Sequence, residues 1–157
     1  MDGRIAHLRS HYRVVGAQVA APAVASRLDR ILRAEVIKSY DDALQSALAG
    51  DESVYVLRRV KARTRIVLDA DLTDAAVARL WGSHLAAAVM RTIARGEDEP
   101  GNVVRFENQA DYVASFIVAV LNGTEQGQWF FEAFSELQTL DRKSAIRRVL
   151  SHSGAGW

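Results

Sequence analysis

The feature that most constrains the fold of this chain is an alternation of apolar and basic residues that begins at Val54. Through residues 54–68 the even positions are mostly apolar, and four odd positions in a row are basic: Arg59, Lys61, Arg63 and Arg65. A period of two is typical of a strand with one buried and one solvated face. The pattern therefore predicts one long half-buried β-strand whose outer face carries four cations about 7 Å apart.

Helical periodicity dominates the rest of the chain. The apolar spacing predicts a short opening helix over 3–13 and two long helices over about 23–49 and 74–95. It also predicts a helix between Asn108 and Gly123, one around Trp129–Leu137 and a last one after Asp141. Residues 102–106 predict a second strand, paired with the first. We expect a mostly helical α+β fold, with four to five helices packed on a small two-stranded antiparallel sheet.

Composition limits the domain count and the class of protein. The length of 157 residues fits one globular domain, for which we take residues 1–150, followed by a flexible tail over 151–157. Hydrophobic residues make up 49% and charged residues 25%, the balance of an ordinary soluble protein. The chain has no cysteine, and its N-terminus lacks the basic-then-apolar order of a signal peptide, so we expect a cytoplasmic protein without membrane spans.

Two patterns resemble catalytic or metal sites. His7 and His11 stand one helical turn apart, but no third ligand accompanies them, so we predict no metal site. Asp69-Ala-Asp71 after an apolar strand resembles the first motif of haloacid-dehalogenase-like phosphatases, in which the two aspartates act as nucleophile and general acid with magnesium. That fold needs several further strands, and almost none follows here. A helix entry at Thr73 explains the motif better, and we expect neither enzymatic activity nor a cofactor.

The basic row and an aromatic cluster are candidate contact surfaces. The cations of residues 58–65 are suited to phosphates, yet nucleic-acid strands usually interleave aromatics, and only Tyr55 is available. A solvated face, an edge strand kept from aggregating by charge, and a contact with an acidic protein all remain open. Around Phe134, helical geometry places Phe130 on the same face with Leu137 nearby, so Trp129 or Phe131 either closes the core or anchors a partner.

Two segments together resemble a known family. The first is the strand from Val54 that runs into Leu68-Asp-Ala-Asp-Leu72 and a helix bearing Trp81. The second is Val103–Phe106, a helix with Tyr112 and Phe116, then Gly123 and Trp129-Phe-Phe-x-x-Phe134. They are similar to the domain found in tape-measure-like and accessory proteins of phage-tail-derived contractile injection systems.

The resemblance implies a non-enzymatic component of a particle that assembles in the cytoplasm, in contact with tube, cap or baseplate subunits. Tape-measure proteins are typically far longer, so a chain of 157 residues corresponds to an excised N-terminal domain or a short accessory relative. For partner binding we select Arg59, Lys61, Arg63 and Arg65 together with Trp129 and Phe131. The alternatives are a nucleic-acid-binding module that uses the basic residues of 58–65 and, as the weaker one, a haloacid-dehalogenase-like phosphatase that uses Asp69 and Asp71.

Overall fold

The structure, a computed structural model, describes residues 5–6, 8–13, 21–67, 72–96 and 101–152. These residues form a mostly helical α+β fold with one two-stranded antiparallel sheet, which confirms the predicted fold class. In chain order, the elements are α1 (Ala21–Ile31), a π-helical turn (Leu32–Val36), α2 (Ile37–Ala47), β1 (Val54–Leu57), α3 (Asp74–Ala94), β2 (Val103–Phe106), α4 (Gln109–Asn122), a 3₁₀ segment (Trp129–Phe134) and α5 (Arg142–His152).

The chain divides into two compact units. The first unit comprises residues 1–50 and 61–91, and the second comprises residues 51–60 and 92–157. Each unit has its own buried cluster of apolar side chains. That residues 1–150 fold as a single domain stays a prediction.

The core of the first unit is aliphatic and is formed by α1, the π-helical turn and α3. Its buried members are Leu28, Ile31, Val36, Val77 and Ala78. Helix α3 begins where the sequence predicts, because the Thr73 hydroxyl accepts a hydrogen bond from the Ala76 N–H. At Gly82 the backbones of α2 and α3 approach so closely that an added Cβ would lie 2.7 Å from the Ser39 Cβ and from the Tyr40 nitrogen.

The core of the second unit is aromatic. Phe116 and Phe134 stack with ring centroids 4.3 Å apart, and Tyr112 packs against both Phe106 and Phe134. The Tyr112 hydroxyl donates a hydrogen bond of 2.6 Å to the carbonyl of Phe130, so its one polar group is satisfied. Helix α4 is bounded as predicted, by an Asn108 side chain that accepts from the Asp111 N–H and by Gly123 in the left-handed conformation.

The π-helical turn explains the spacing of buried residues along the first helices. Ile31 and Val36 are both buried although they stand five positions apart, whereas Val36, Tyr40 and Leu44 follow at steps of four. In a regular α-helix, five residues rotate a side chain about 140° away from its starting face. The i→i+5 hydrogen bonds of a π turn absorb the extra residue and return Val36 to the buried face.

The predicted long strand is wrong in length. Strand β1 ends at Leu57, because β2 offers only four residues for pairing. Beyond it, the Arg58 N–H donates to the carbonyl of Asn102 at 2.8 Å. The Asn102 side-chain amide then forms hydrogen bonds with both backbone groups of Arg59. It accepts one from the N–H at 3.0 Å and donates one to the C=O at 3.1 Å. A side-chain amide thus closes the ladder in place of a further strand residue.

Three helix predictions also need correction. The described residues within 3–13 form no helix. The aromatic cluster around Trp129–Phe134 forms 3₁₀ turns with i→i+3 hydrogen bonds instead of the predicted α-helix. Helix α5 continues to His152, two residues past the predicted end, and the remainder of the predicted tail lies outside the described residues.

Candidate functional site

The cationic segment, defined here as residues 58–65, has no regular secondary structure. Its residues belong to two units: Arg58 and Arg59 lie in the second, directly after β1, and Lys61, Arg63 and Arg65 lie in the first. From Arg63 onward, the period-two pattern still describes how the side chains are buried, whereas Ala62 is exposed. Thr64 and Ile66 are half-buried, Arg63 and Arg65 are exposed, and Ile66 packs against the core of the first unit.

All five cations of the segment are exposed, and none has an ion-pair partner among the described residues. The contrast is Arg27 on α1, whose guanidinium lies 2.7 Å from Asp74 and also donates to the carbonyl of Leu72. Arg30 shares the same carboxylate at 3.2 Å, and these contacts lower the pKa of Asp74. Arg27 and Arg30 therefore serve the fold, whereas the cations of the segment are left to solvent or to another molecule.

The two aromatic candidates have different environments. Phe131 is 2% exposed and belongs to the core of the second unit, so its selection as a contact residue is wrong. The reason is the 3₁₀ geometry, in which every third residue shares a face: Phe131, Phe134 and Leu137 are all buried. Trp129 is half-buried, with its ring edge-on to Phe130 at 5.7 Å, and part of its surface stays accessible.

A polar network that the sequence patterns did not indicate surrounds Ser53, at the entry to β1. Arg105 donates from Nε and Nη2 to the Ser53 hydroxyl oxygen at 3.1 and 2.9 Å. The Ser53 hydroxyl and N–H in turn donate to Asp51, as does the Tyr55 hydroxyl, and together these bonds lower the pKa of Asp51 to about 2. The Arg105 guanidinium also lies over the Tyr55 ring, 5.8 Å from its centroid.

This network is suited to holding the two strands together rather than to nucleophilic chemistry. The Ser53 oxygen accepts two hydrogen bonds from a guanidinium, which withdraws the electron density that a nucleophile needs. Ser53 is also 2% exposed, so a substrate has no path to it. The only sequence signal for the network is that Tyr55 and Arg105 fall opposite each other once the strands are paired.

The remaining sequence candidates give no assembled site. Asp69, Asp71 and His7 lie outside the described residues, and His11 is exposed. Among the residues that the structure does describe, no group of three or more histidine or acidic side chains is placed to hold a metal ion. Within the same ranges, no helix is long and apolar enough to cross a lipid bilayer.

Comparison with known proteins adds no relative. No protein-family model, no curated protein and no solved structure matches this chain.

Proposed function

We propose that this chain is a non-enzymatic subunit that binds other proteins through the exposed cations of the cationic segment. The observation that carries the proposal is that Arg59, Lys61, Arg63 and Arg65 are exposed and have no ion-pair partner among the described residues. Guanidinium groups bind carboxylates and phosphates in a bidentate manner, so the cations fit an acidic protein surface or the backbone of a nucleic acid.

An acidic protein is favoured over nucleic acid by the contacts of Tyr55, the one aromatic residue close to the cations in the sequence. Its hydroxyl is bound to Asp51, and the Arg105 guanidinium lies over its ring. A base that stacked on the same face of this ring would have to displace Arg105, and stacking supplies much of the affinity in single-strand binding. The net charge of +1 gives no general attraction to polyanions either.

For the identity of the partner, the proposal relies on the resemblance of the two sequence segments to the injection-system domain. We propose that the chain contacts tube, cap or baseplate subunits of a contractile injection particle that assembles in the cytoplasm, with Trp129 as a second contact residue. The half-buried indole of Trp129 is the kind of side chain that anchors interfaces. No catalytic residue or cofactor is part of this proposal.

The test is affinity capture of the tagged chain from its native host, in cells shown to produce such particles. A variant with Arg59, Lys61, Arg63 and Arg65 all changed to Glu is compared with a control of equal charge change. The control reverses four exposed cations that lie on α2 and α3 or directly after α3, which are Lys38, Arg79, Arg91 and Arg95. Mass spectrometry then quantifies the captured subunits.

We expect the wild type and the control to capture tube, cap or baseplate subunits, and the segment variant to lose them at least about tenfold, because it replaces attraction with repulsion. Capture that is equal for both variants would contradict a role for the segment. Capture that disappears after nuclease treatment would assign the cations to nucleic acid instead.

A further inference from the structure

Residues 61–67, which lie in the first unit, have the sequence of a β-strand although no described strand lies beside them. Three of them are β-branched: Thr64, Ile66 and Val67. None is a glycine, proline, asparagine or aspartate, the residues that turns favour. Their composition is thus that of a strand rather than of a loop, and we call residues 61–67 the unpaired stretch.

The side chains at the end of the unpaired stretch also alternate as they do on a strand. From Arg63 to Val67 they are exposed and half-buried in turn, which is the pattern of an extended chain. Thr64 and Ile66 lie on the inner face, where Ile66 packs on the core of the first unit. Arg63, Arg65 and Val67 share the outer face. Val67 is 65% exposed, the largest value among the described large apolar side chains.

The backbone of the unpaired stretch has open hydrogen-bonding groups. Every residue other than proline carries one N–H donor and one C=O acceptor. No described residue forms a hydrogen bond with the backbone of residues 61–67. By contrast, the backbones of Arg58 and Arg59, just before it, are bonded to Asn102. An extended chain with open N–H and C=O groups on consecutive residues is a template to which another strand can add.

We propose that the unpaired stretch binds an extended acidic segment of a protein partner, which adds to it as a β-strand. This inference rests on the proposed function, because it specifies how a partner meets the same cations. In an antiparallel pair, side chains directly opposite each other lie about 5 Å apart on one face, so alternate carboxylates of the partner meet Arg63 and Arg65. The partner residues between these carboxylates lie on the face of Thr64 and Ile66, where β-branched side chains fit.

Three other occupants lack this complementarity. In a second copy, antiparallel self-pairing either puts cation opposite cation or turns the arginines of one copy toward the half-buried face. A helix uses its backbone groups internally and has none along its sides for an open strand edge. The phosphates of a nucleic acid accept hydrogen bonds from N–H groups but have no donors for the open carbonyls.

The test is an NMR titration of the ¹⁵N-labelled full chain with a capped peptide of alternating glutamate and valine. Its control is the same peptide N-methylated on its central amides, which keeps every charge and removes the backbone donors. We expect the unmodified peptide to shift the amide signals of residues 61–67 and to slow hydrogen exchange at alternate amides there at least about tenfold, because only alternate residues bond to a given neighbouring strand. The N-methylated peptide should bind at least about tenfold more weakly.

Variants test the contribution of the cations. Arg63→Glu combined with Arg65→Glu is expected to weaken binding of the unmodified peptide at least about tenfold, because carboxylates then face carboxylates. Arg79→Glu with Arg91→Glu makes the same charge change at exposed positions of α3 in the same unit, and binding should stay unchanged. The dispersion of the amide signals shows whether each variant is folded.

Two results would overturn strand addition. Equal binding of the N-methylated peptide, or shifted signals without slowed exchange, would leave the cations as a contact through charge alone, and the proposed function would stand. An oligothymidine that slows the same alternate amides as strongly as the peptide would assign the stretch to nucleic acid. The capture experiment decides the proposed function separately, because binding of the peptide does not depend on which subunits the cells produce.

Discussion

The two units achieve a packed core by opposite means. In the first unit, the cluster around Val36 and Val77 is aliphatic, and α2 and α3 meet at a position without a side chain, Gly82. In the second unit, aromatic rings fill the centre, with Phe116 and Phe134 stacked in it. The stability of the first unit should therefore be most sensitive to atoms added at Gly82, where α2 and α3 meet. The stability of the second unit should be most sensitive to atoms removed from its aromatic core.

The largest effect is expected for Phe134→Ala in the second unit. Phe134 is 0% exposed, and its ring contacts Phe116, Tyr112 and Phe131. Removing a fully buried ring should lower the free energy of unfolding by about 3–5 kcal/mol. Urea denaturation measures the loss, with Leu121→Ala on the exposed side of α4 as the control. A loss below about 1 kcal/mol would show that the aromatic core tolerates a cavity.

Gly82→Ala is the matching test in the first unit. Alanine improves helix propensity by about 1 kcal/mol, so at an open position this change would stabilise the protein. Here the new methyl group meets backbone atoms of α2 at 2.7 Å, and we expect a net destabilisation of about 1–3 kcal/mol. Hydrogen exchange of α2 and α3 amides locates the effect, with Ser83→Ala as the neighbouring control. Stabilisation by Gly82→Ala would remove the contrast between the two cores.

Tyr112→Phe sharpens the comparison, because it keeps the ring and removes only the hydroxyl. The loss of its hydrogen bond to Phe130 should cost about 1 kcal/mol at neutral pH. Burial raises the pKa of Tyr112 to about 12 from an ordinary value of 10. Wild-type stability that depends on this group is therefore present below pH 10 and is lost as the pH rises from about 10 to 12. Chemical denaturation across that range should show a weaker decline for the variant.

Asp51→Asn tests the polar network of the strands, where the expected effect is smallest. Hydrogen bonds from Ser53, and then from Tyr55, lower the pKa of Asp51 to about 2 from an ordinary value of 3.8. A lowered pKa stabilises the fold above pH 4, and this stabilisation is lost as the pH falls from about 4 to 2. In thermal unfolding, the Tm of the wild type should exceed that of the variant at pH 5, and the two Tm values should converge near pH 2. A constant difference would mean that the carboxylate charge has no role.

Sequence reasoning succeeded where a single local rule decides the structure. Asn108, Gly123 and Thr73 bound their helices because capping depends on the residue itself and its nearest neighbours. The antiparallel pairing of two strands also followed from local patterns. These features needed no knowledge of the distant parts of the chain.

Sequence reasoning failed where the structure depends on a distant partner or on an unusual helical period. The alternation after Val54 carries no information about how many residues a partner strand offers, and the Asn102 amide ends the ladder from across the sheet. Phe131 was misplaced because the rings were read at a period of 3.6, whereas the chain there repeats every three residues. The burial of both Ile31 and Val36, which stand five positions apart, is likewise not predicted by a period of 3.6.

The π-helical turn at Leu32–Val36 affects how well the first helices tolerate a change in the number of residues. The turn holds one residue more than a regular helix needs to connect Ile31 with the next buried position. A sequence shorter by one residue in this stretch would close the same contacts through an ordinary α-helical turn. The first helices thus contain a place where deletion of one residue is expected to leave the pattern of buried side chains on both sides intact.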